Sequence, residues 1–319
     1  MQQQTVLAET WLGDGRRLRL VEPAGKDAEA ICEMIVEAFG HRPPVDPPPP
    51  ALSETPENVR AALASGFGVM ALVEEQPAGI VIVSLDGPLA GIHRVCVRPD
   101  YQRLGIAAAM AEVAIEVLTT RGVPAVELVA RAEFPKVVSW WRRHGFTEVD
   151  RHGTSLTLAR QLPVRKEAPT AEDTTELGRR LATVVRAGDV IIASGDLGAG
   201  KTTFTQGLGA GLGVVGSIIS PTFVLSRVHP STTGGPGLVH VDAYRLGSFA
   251  ELEDLDLELS LEDSVTIVEW GAGIAEGLGE DYLEIDIRRG IDPEDETRWI
   301  FLTPIGDRWT ASRSELEAL

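Results

Sequence analysis

The run Gly195-Asp196-Leu197-Gly198-Ala199-Gly200-Lys201-Thr202 constrains the fold more than any other feature of the chain. It fits G-x-x-x-x-G-K-[ST] in full, follows the apolar stretch "VIIAS" and precedes a helical stretch. Strand, tight turn and helix are the context this motif requires. Its glycines let backbone N–H groups close around a β-phosphate where side chains would collide. The helix N-terminus adds positive potential. Lys201 places a point charge on the β- and γ-phosphates, and the Thr202 hydroxyl suits Mg²⁺; Thr203 follows on the same turn. The segment is expected to be a P-loop α/β domain that holds ATP and Mg²⁺.

That loop lies past the middle of 319 residues, and such loops usually sit on a domain's first strand. The length fits two domains. The stretch "PVRKEAPTAED" marks the boundary, giving domains over 1–163 and 164–319. In the first, "RRLRLVEP" is a strand, Asp27 to Ala38 a helix, and "HRPPVDPPPP" an extended surface loop. A helix capped by Thr55 comes next. The strands "GVMALVEE" and "AGIVIVSLDG" follow, with a turn at Gln76-Pro77, then "IHRVCVRP". A long amphipathic helix, the strand "AVELVA", a helix ending "SWWRRHG" and a last strand complete the half. The second half opens on the helix "TTELGRRLATVV" and ends β-rich.

A magnesium site needs carboxylate help. Glu269 ends the apolar strand "VTIV", and Asp242 closes "LVHVD". Either acid would also be at home as a solvated strand end. Thr222, in "SPTF", sits where a switch-like loop would touch a γ-phosphate or a water; an ordinary proline turn explains it equally.

The ordered set "GDLGAGKTTF", "SPTFVL", "HVDAYRL" and "VEWG" resembles the TsaE-type ATPase family of tRNA threonylcarbamoyladenosine synthesis. The resemblance covers about Thr170 to Pro304. It implies ATP on Gly195 to Thr203, Mg²⁺ on Thr202 and Glu269, and catalytic support from Lys201, Asp242 and Glu269, with Thr174 and Arg298 flanking the nucleotide. It also implies work with the partner proteins TsaB and TsaD, over repeated cycles of carbamoyl transfer to the adenosine beside the anticodon. Contact with tRNA is then indirect. Charge agrees: 27 acidic against 13 basic residues from Val164 onward make this half a poor candidate for gripping RNA alone. Up to Pro163 the figures are 20 and 16. One departure is the helix after the loop, "QGLGAGLGVVG", so rich in glycine that ATP or a partner is expected to order it.

The first half carries "VRPDYQRLGIAAAM", a strand running into a helix. Gln102-Arg103-Leu104-Gly105-Ile106-Ala107 resembles motif A of the GNAT N-acetyltransferases, over about Leu18 to Ala159. It implies a mixed, mostly antiparallel sheet with flanking helices. It also implies acetyl-CoA along Val95 and Val97, with its pyrophosphate on the helix N-terminus. "SWWRRHGF" resembles that family's late signature, but Trp141 stands where many members carry a tyrosine acid. An indole N–H donates and cannot act as an acid near neutral pH. His93 and Glu127 are candidate bases; His93 reads more readily as a partly buried structural histidine, and Trp140 and Trp141 also read as core, Trp140 the more so. The acceptor, a protein N-terminus or a small amine, is not set by the sequence.

Two other readings stand beside this. The second half could be a small-molecule kinase, although Arg227, Arg245, Arg288 and Arg289 form no lid-like cluster. The first half could bind acyl-CoA as a docking module without turnover. Cys32 and Cys96 make no disulfide framework. With no basic, apolar leader and no membrane-length apolar run, a cytoplasmic protein without membrane attachment is expected.

Overall fold

The computed structural model describes residues 5–87, 89–221, 225–253, 255, 262–290 and 295–319. The chain forms two compact units, Met1–Leu162 and Pro163–Leu319. Both are mixed α/β, each built on one sheet. Among the described residues no helix is long and apolar enough to cross a membrane.

The first sheet has eight strands in the order β1-β2-β3-β4-β5-β6-β8-β7. They are β1 Thr5–Trp11, β2 Arg17–Glu22, β3 Gly66–Val73, β4 Gln76–Ser84, β5 Ala90–Val97, β6 Ala125–Arg131, β7 Thr147–His152 and β8 Ser155–Gln161. Neighbours are antiparallel except β5 and β6. That parallel ladder holds only at Ala90↔Val126 and Gly91↔Glu127. The strands α1 Ala28–Gly40 and α2 Pro56–Ser65 cover are packed through Ile31, Met34 and Ile35. On the other face, α3 Ile106–Thr120 and α4 Pro135–Arg143 bury Met110, Ala111, Leu118 and Trp141. Thr55 does cap α2, accepting from Asn58 N at 3.2 Å.

The turn expected at Gln76-Pro77 lies two residues earlier. Glu74 and Glu75 take φ of 46° and 67°, and Gln76 and Pro77 already belong to β4. Both glutamates pair with arginines of β2, which stabilises two residues in a conformation that usually goes to Gly or Asn. The sequence reading also left out β1 and β7. Both are edge strands with exposed faces, so they lack the apolar alternation that marks a half-buried strand.

The second sheet runs β11-β12-β13-β10-β14-β15-β9. Its strands are β9 Val164–Ala168, β10 Val190–Ser194, β11 Ser226–His229, β12 Gly237–Asp242, β13 Ser264–Glu269, β14 Tyr282–Arg289 and β15 Arg298–Ile305. The central four, β12, β13, β10 and β14, are parallel, and all four end towards the loop that follows β10. Ligands in open α/β sheets bind beyond such strand ends. The stretch "PVRKEA" is therefore more than a connection: β9 pairs with β15 as an edge of the sheet. Helices α5 Ala171–Leu181 and α6 Lys201–Leu212 lie together on one face; α7 Phe249–Glu253, α8 Gly306–Ala311 and α9 Arg313–Ala318 are short.

The glycines of α6 have a structural purpose that corrects the expectation of a helix awaiting order. A β-carbon on Gly207 would stand 1.9 Å from Thr175 O, and one on Gly211 would stand 2.5 Å from Arg179 O. Gly178 of α5 meets Phe204 O in the same way, at 2.2 Å. The two helices pack backbone to backbone, which only glycine allows, and this contact offsets the poor helix propensity.

Candidate functional site

In the second unit, β10 delivers the chain into the loop at Ser194, and α6 starts at Lys201. Gly195 has φ 136°, with Ile287 O so close that a β-carbon would lie 2.3 Å from it. Gly200 precedes the helix with φ 113°, a conformation L side chains rarely adopt. Ala199 is fully buried, its N–H on Asp196 O at 3.0 Å, while Leu197 is 84% exposed at the tip. Gly198, also left-handed, completes the turn between them.

Lys201 is 5% exposed. Its ammonium donates to Gly195 O at 2.7 Å and Asp196 O at 3.0 Å, and sits 3.6 Å from the centre of the Trp270 ring. Burial lowers its pKa, against the opposing pull of Glu269, Asp242 and Asp196. Thr202 donates to Glu269 Oε2 at 3.0 Å. Asp242, beside Glu269 in the β12·β13 register, accepts from Ser220 Oγ at 2.5 Å and Tyr244 N at 3.0 Å. Tyr244 in turn lies edge-on to Trp270, ring centres 5.2 Å apart. Thr203 is half-buried on the first turn of α6. Thr174, buried, is 3.7 Å from where a β-carbon of Gly200 would be, and Arg298 Nε donates to Ala199 O at 3.1 Å. The structure thus brings every expected residue of this half to one place, save Thr222, which lies outside the described residues. A cleft of about 480 Å³ opens beside the start of the loop, bordered by Asp196, Trp270, Asp286 and Arg288.

Sequence reasoning missed two participants. Thr205 and His240 both reach Glu269 Oε1, at 3.0 and 2.8 Å. The signal for His240 was its place at the head of "HVDAYRL", where strand alternation puts it on the same face as Asp242 two residues on.

In the first unit, Gly105 precedes α3 with φ 81°, and Arg103 has φ 66°. Gln102 Nε2 donates to Val97 O at 3.2 Å and ties the turn to β5. Ile106 is buried and Ala107 half-buried, so backbone N–H groups make up the free end of this helix. Val95 and Val97 lie on β5 beyond the last residues it shares with β6, where the two strands are no longer paired. His93 Nε2 is 2.8 Å from Ser84 Oγ; desolvation first, then the Arg94 charge, lowers its pKa. Glu127, half-buried, is the third residue of β6 and lies opposite Gly91. Arg42, not singled out in the sequence, reaches Val95 O at 3.4 Å.

Trp141 faces the core. It is 4% exposed and packs edge-on against Phe146 at 4.9 Å and Trp140 at 4.6 Å. Trp140 is the more exposed of the two and lies over His144 at 4.0 Å. The thiols of Cys32 and Cys96 are buried and free, and burial pushes Cys96 up to about 12.

Residues 168–298 match the family model described as threonylcarbamoyl adenosine biosynthesis protein TsaE. Residues 29–146 match that of the acetyltransferase (GNAT) family. The TsaE protein of Streptomyces coelicolor is 59% identical over 139 residues, which span 43% of this chain and 94% of that protein. The Bacillus subtilis protein of the same name is 38% identical over 146 residues, 46% of this chain and 88% of the relative. The crystal structure of the GNAT domain of S. lividans PAT aligns over 49% of this chain and 96% of its own, with 18% identity and a TM-score of 0.41. Nearly the whole length of the two TsaE proteins is represented here, at 59% and 38% identity; the chain belongs to the TsaE family, with a segment that matches the GNAT family model ahead of the TsaE part.

Proposed function

We propose that the second unit binds and hydrolyses Mg-ATP so that a TsaB–TsaD complex can repeat threonylcarbamoyl transfer to tRNA adenosine, and that the first unit is an acetyl-CoA-dependent N-acetyltransferase. The observation that carries the first part is the convergence of Lys201, Thr202, Glu269 and Asp242 at the ends of four parallel strands. The loop carbonyls that hold Lys201 are weak partners for a full charge, and phosphate oxygens are stronger ones. Thr202 Oγ1 and Glu269 Oε2 are hard oxygen donors 3.0 Å apart, which fits Mg²⁺; it would supply charge neutralisation on the phosphates. Asp242 holds its carboxylate fixed by Ser220 and the Tyr244 N–H, in position to orient a water. The acidic second unit leaves tRNA to its partners, in the cytoplasm.

For the first unit, the helix N-terminus at Gly105 and the opening of β5 from β6 support an acyl-CoA site, with His93 or Glu127 as base. The burial of Trp141 supports the second reading, an acyl-CoA-binding docking module, because no phenol stands there to protonate a thiolate. Turnover of acetyl-CoA with N-terminal peptides and small amines separates the two.

The test of the main reading is reconstitution. The full chain is mixed with TsaB, TsaD, threonylcarbamoyl-adenylate synthase, tRNA, threonine, bicarbonate and ATP, and modified adenosines per TsaD are counted. Several turnovers with the unaltered chain, lost in Lys201→Ala, support it. Equal turnover by both chains rejects it.

A further inference from the structure

Glu269 sits at the hub of a buried hydrogen-bond set, and its two oxygens are not equivalent. Oε2 accepts from Thr202, on the cradle itself. Oε1 faces Thr205 Oγ1 at 3.0 Å and His240 Nε2 at 2.8 Å. Thr205 has one hydroxyl hydrogen and a second acceptor within reach, Lys201 O at 2.9 Å, so it serves Oε1 only part of the time. His240 has no such alternative. A carboxylate only accepts, so Nε2 carries the hydrogen.

His240 is fully buried, and its Nδ1 has no hydrogen-bond partner among the described residues. Its strand neighbour on that face, Leu238, and the adjacent Ile267 belong to an apolar core. A purely structural position there would suit another aliphatic side chain, since an orphaned buried nitrogen is costly. The one polar contact that justifies the histidine is the bond to Glu269.

From this we infer that His240 is a positioning residue for the metal ligand of the cradle: by holding Oε1 it fixes the carboxylate so that Oε2 alone is presented beside the Thr202 hydroxyl. The inference rests on the proposed Mg-nucleotide function and deepens it. Partners of ligating groups are worth about ten- to a hundredfold in metal affinity.

The test is a Mg²⁺ titration of binding of fluorescent ADP to the full chain. In His240→Leu, affinity measured in EDTA should stay within about twofold, because the loop and Lys201 are untouched. The Mg²⁺ concentration at which affinity rises should increase about ten- to a hundredfold. His240→Gln, whose amide nitrogen can stand in for Nε2, should recover most of that shift. His240→Asn, equally polar but too short, should not, and the Gln–Asn pair decides the matter if the leucine variant does not fold. An unmoved Mg²⁺ midpoint in Leu, equal midpoints in Gln and Asn, or a parallel loss in EDTA overturns the inference alone. Failure of the unaltered chain to bind ADP at all overturns the functional reading and the inference with it.

Discussion

Among the described residues, two helices, one in each unit, start behind a left-handed glycine, and their N-termini are furnished differently. Before α3, Gly105 at φ 81° turns the chain into Ile106 and Ala107, two apolar residues that pack inward. Before α6, Gly200 at φ 113° turns it into Lys201 and Thr202, which engage Trp270 and Glu269. The first offers backbone N–H groups and little else. The second adds a buried cation, a hydroxyl, and two carboxylates held by Thr205, His240, Ser220 and the Tyr244 N–H. A cradle that only grips an anion can be built from backbone. One that acts on the anion needs charge and metal ligands aimed at it.

The largest break in this comparison comes from removing the charge. Lys201→Ala should reduce ATP hydrolysis on the order of a hundredfold or more, while leaving CoA affinity of the first unit unchanged. ATP turnover and CoA binding measured on one preparation check both halves. ATP turnover within a few fold of the unaltered chain would mean that backbone suffices in the second cradle too.

The same contrast explains what the sequence showed. The α6 cradle was legible because its chemistry lies in side chains at fixed spacing, from Gly195 to Thr202, with Asp242 and Glu269 at strand ends. The α3 cradle left a weaker trace, since Gly105 is its sole required side-chain choice and Ala107 is unremarkable. Contacts made between elements were not legible. His240 and Thr205 are far apart in sequence and meet only at Glu269. Gly207 and Gly211 read as helix weakness because their partners, Thr175 O and Arg179 O, belong to another helix. Trp141 was legible as a departure in its motif, but its inward orientation follows from packing on Phe146.

A second break concerns whether the first unit does chemistry at all. His93 has its pKa lowered below the usual histidine value, so it stays neutral to lower pH than a free imidazole. The acid limb of kcat/KM for acetyl transfer should therefore inflect below about pH 6.5. His93→Gln should remove that limb and cut the rate about a hundredfold; a limb that persists in the variant would assign it to Glu127. The sign for stability is the same. Between the folded and unfolded values the unfolded chain binds more protons, so stability rises with pH through that window and falls on acidification. Denaturant midpoints of the first unit across that range measure it.

The helices behind the two cradles sharpen the comparison with a smaller effect. α6 needs glycine where α5 touches it; α3 buries Ala111 against its sheet. Gly207→Ala gains up to about 1 kcal/mol of helix propensity. The added carbon would nonetheless stand 1.9 Å from a backbone oxygen that cannot rotate away. The helix pair must separate, at a cost of about 1–3 kcal/mol, so the second unit should melt several degrees lower. Ala111→Gly should cost the first unit about 1 kcal/mol. If Gly207→Ala raises the melting temperature instead, the close contact between α5 and α6 is not what the glycine serves.

The smallest effect tests whether the first cradle is backbone alone. At Gly105 nothing lies within 4 Å of an added β-carbon, so steric contact is not the issue. What remains is the left-handed conformation, φ 81°, which costs an ordinary L residue about 1–2 kcal/mol. Gly105→Ala should relax the turn away from the geometry that aims the N–H groups, and CoA affinity should fall about tenfold. Asparagine tolerates this conformation better than alanine, so Gly105→Asn should lie between alanine and glycine in calorimetric titration with CoA. That ordering, glycine above asparagine above alanine, is specific to backbone strain. Equal losses for both variants would point to a side chain's bulk against the ligand, and no loss in either would place the anion elsewhere than on α3.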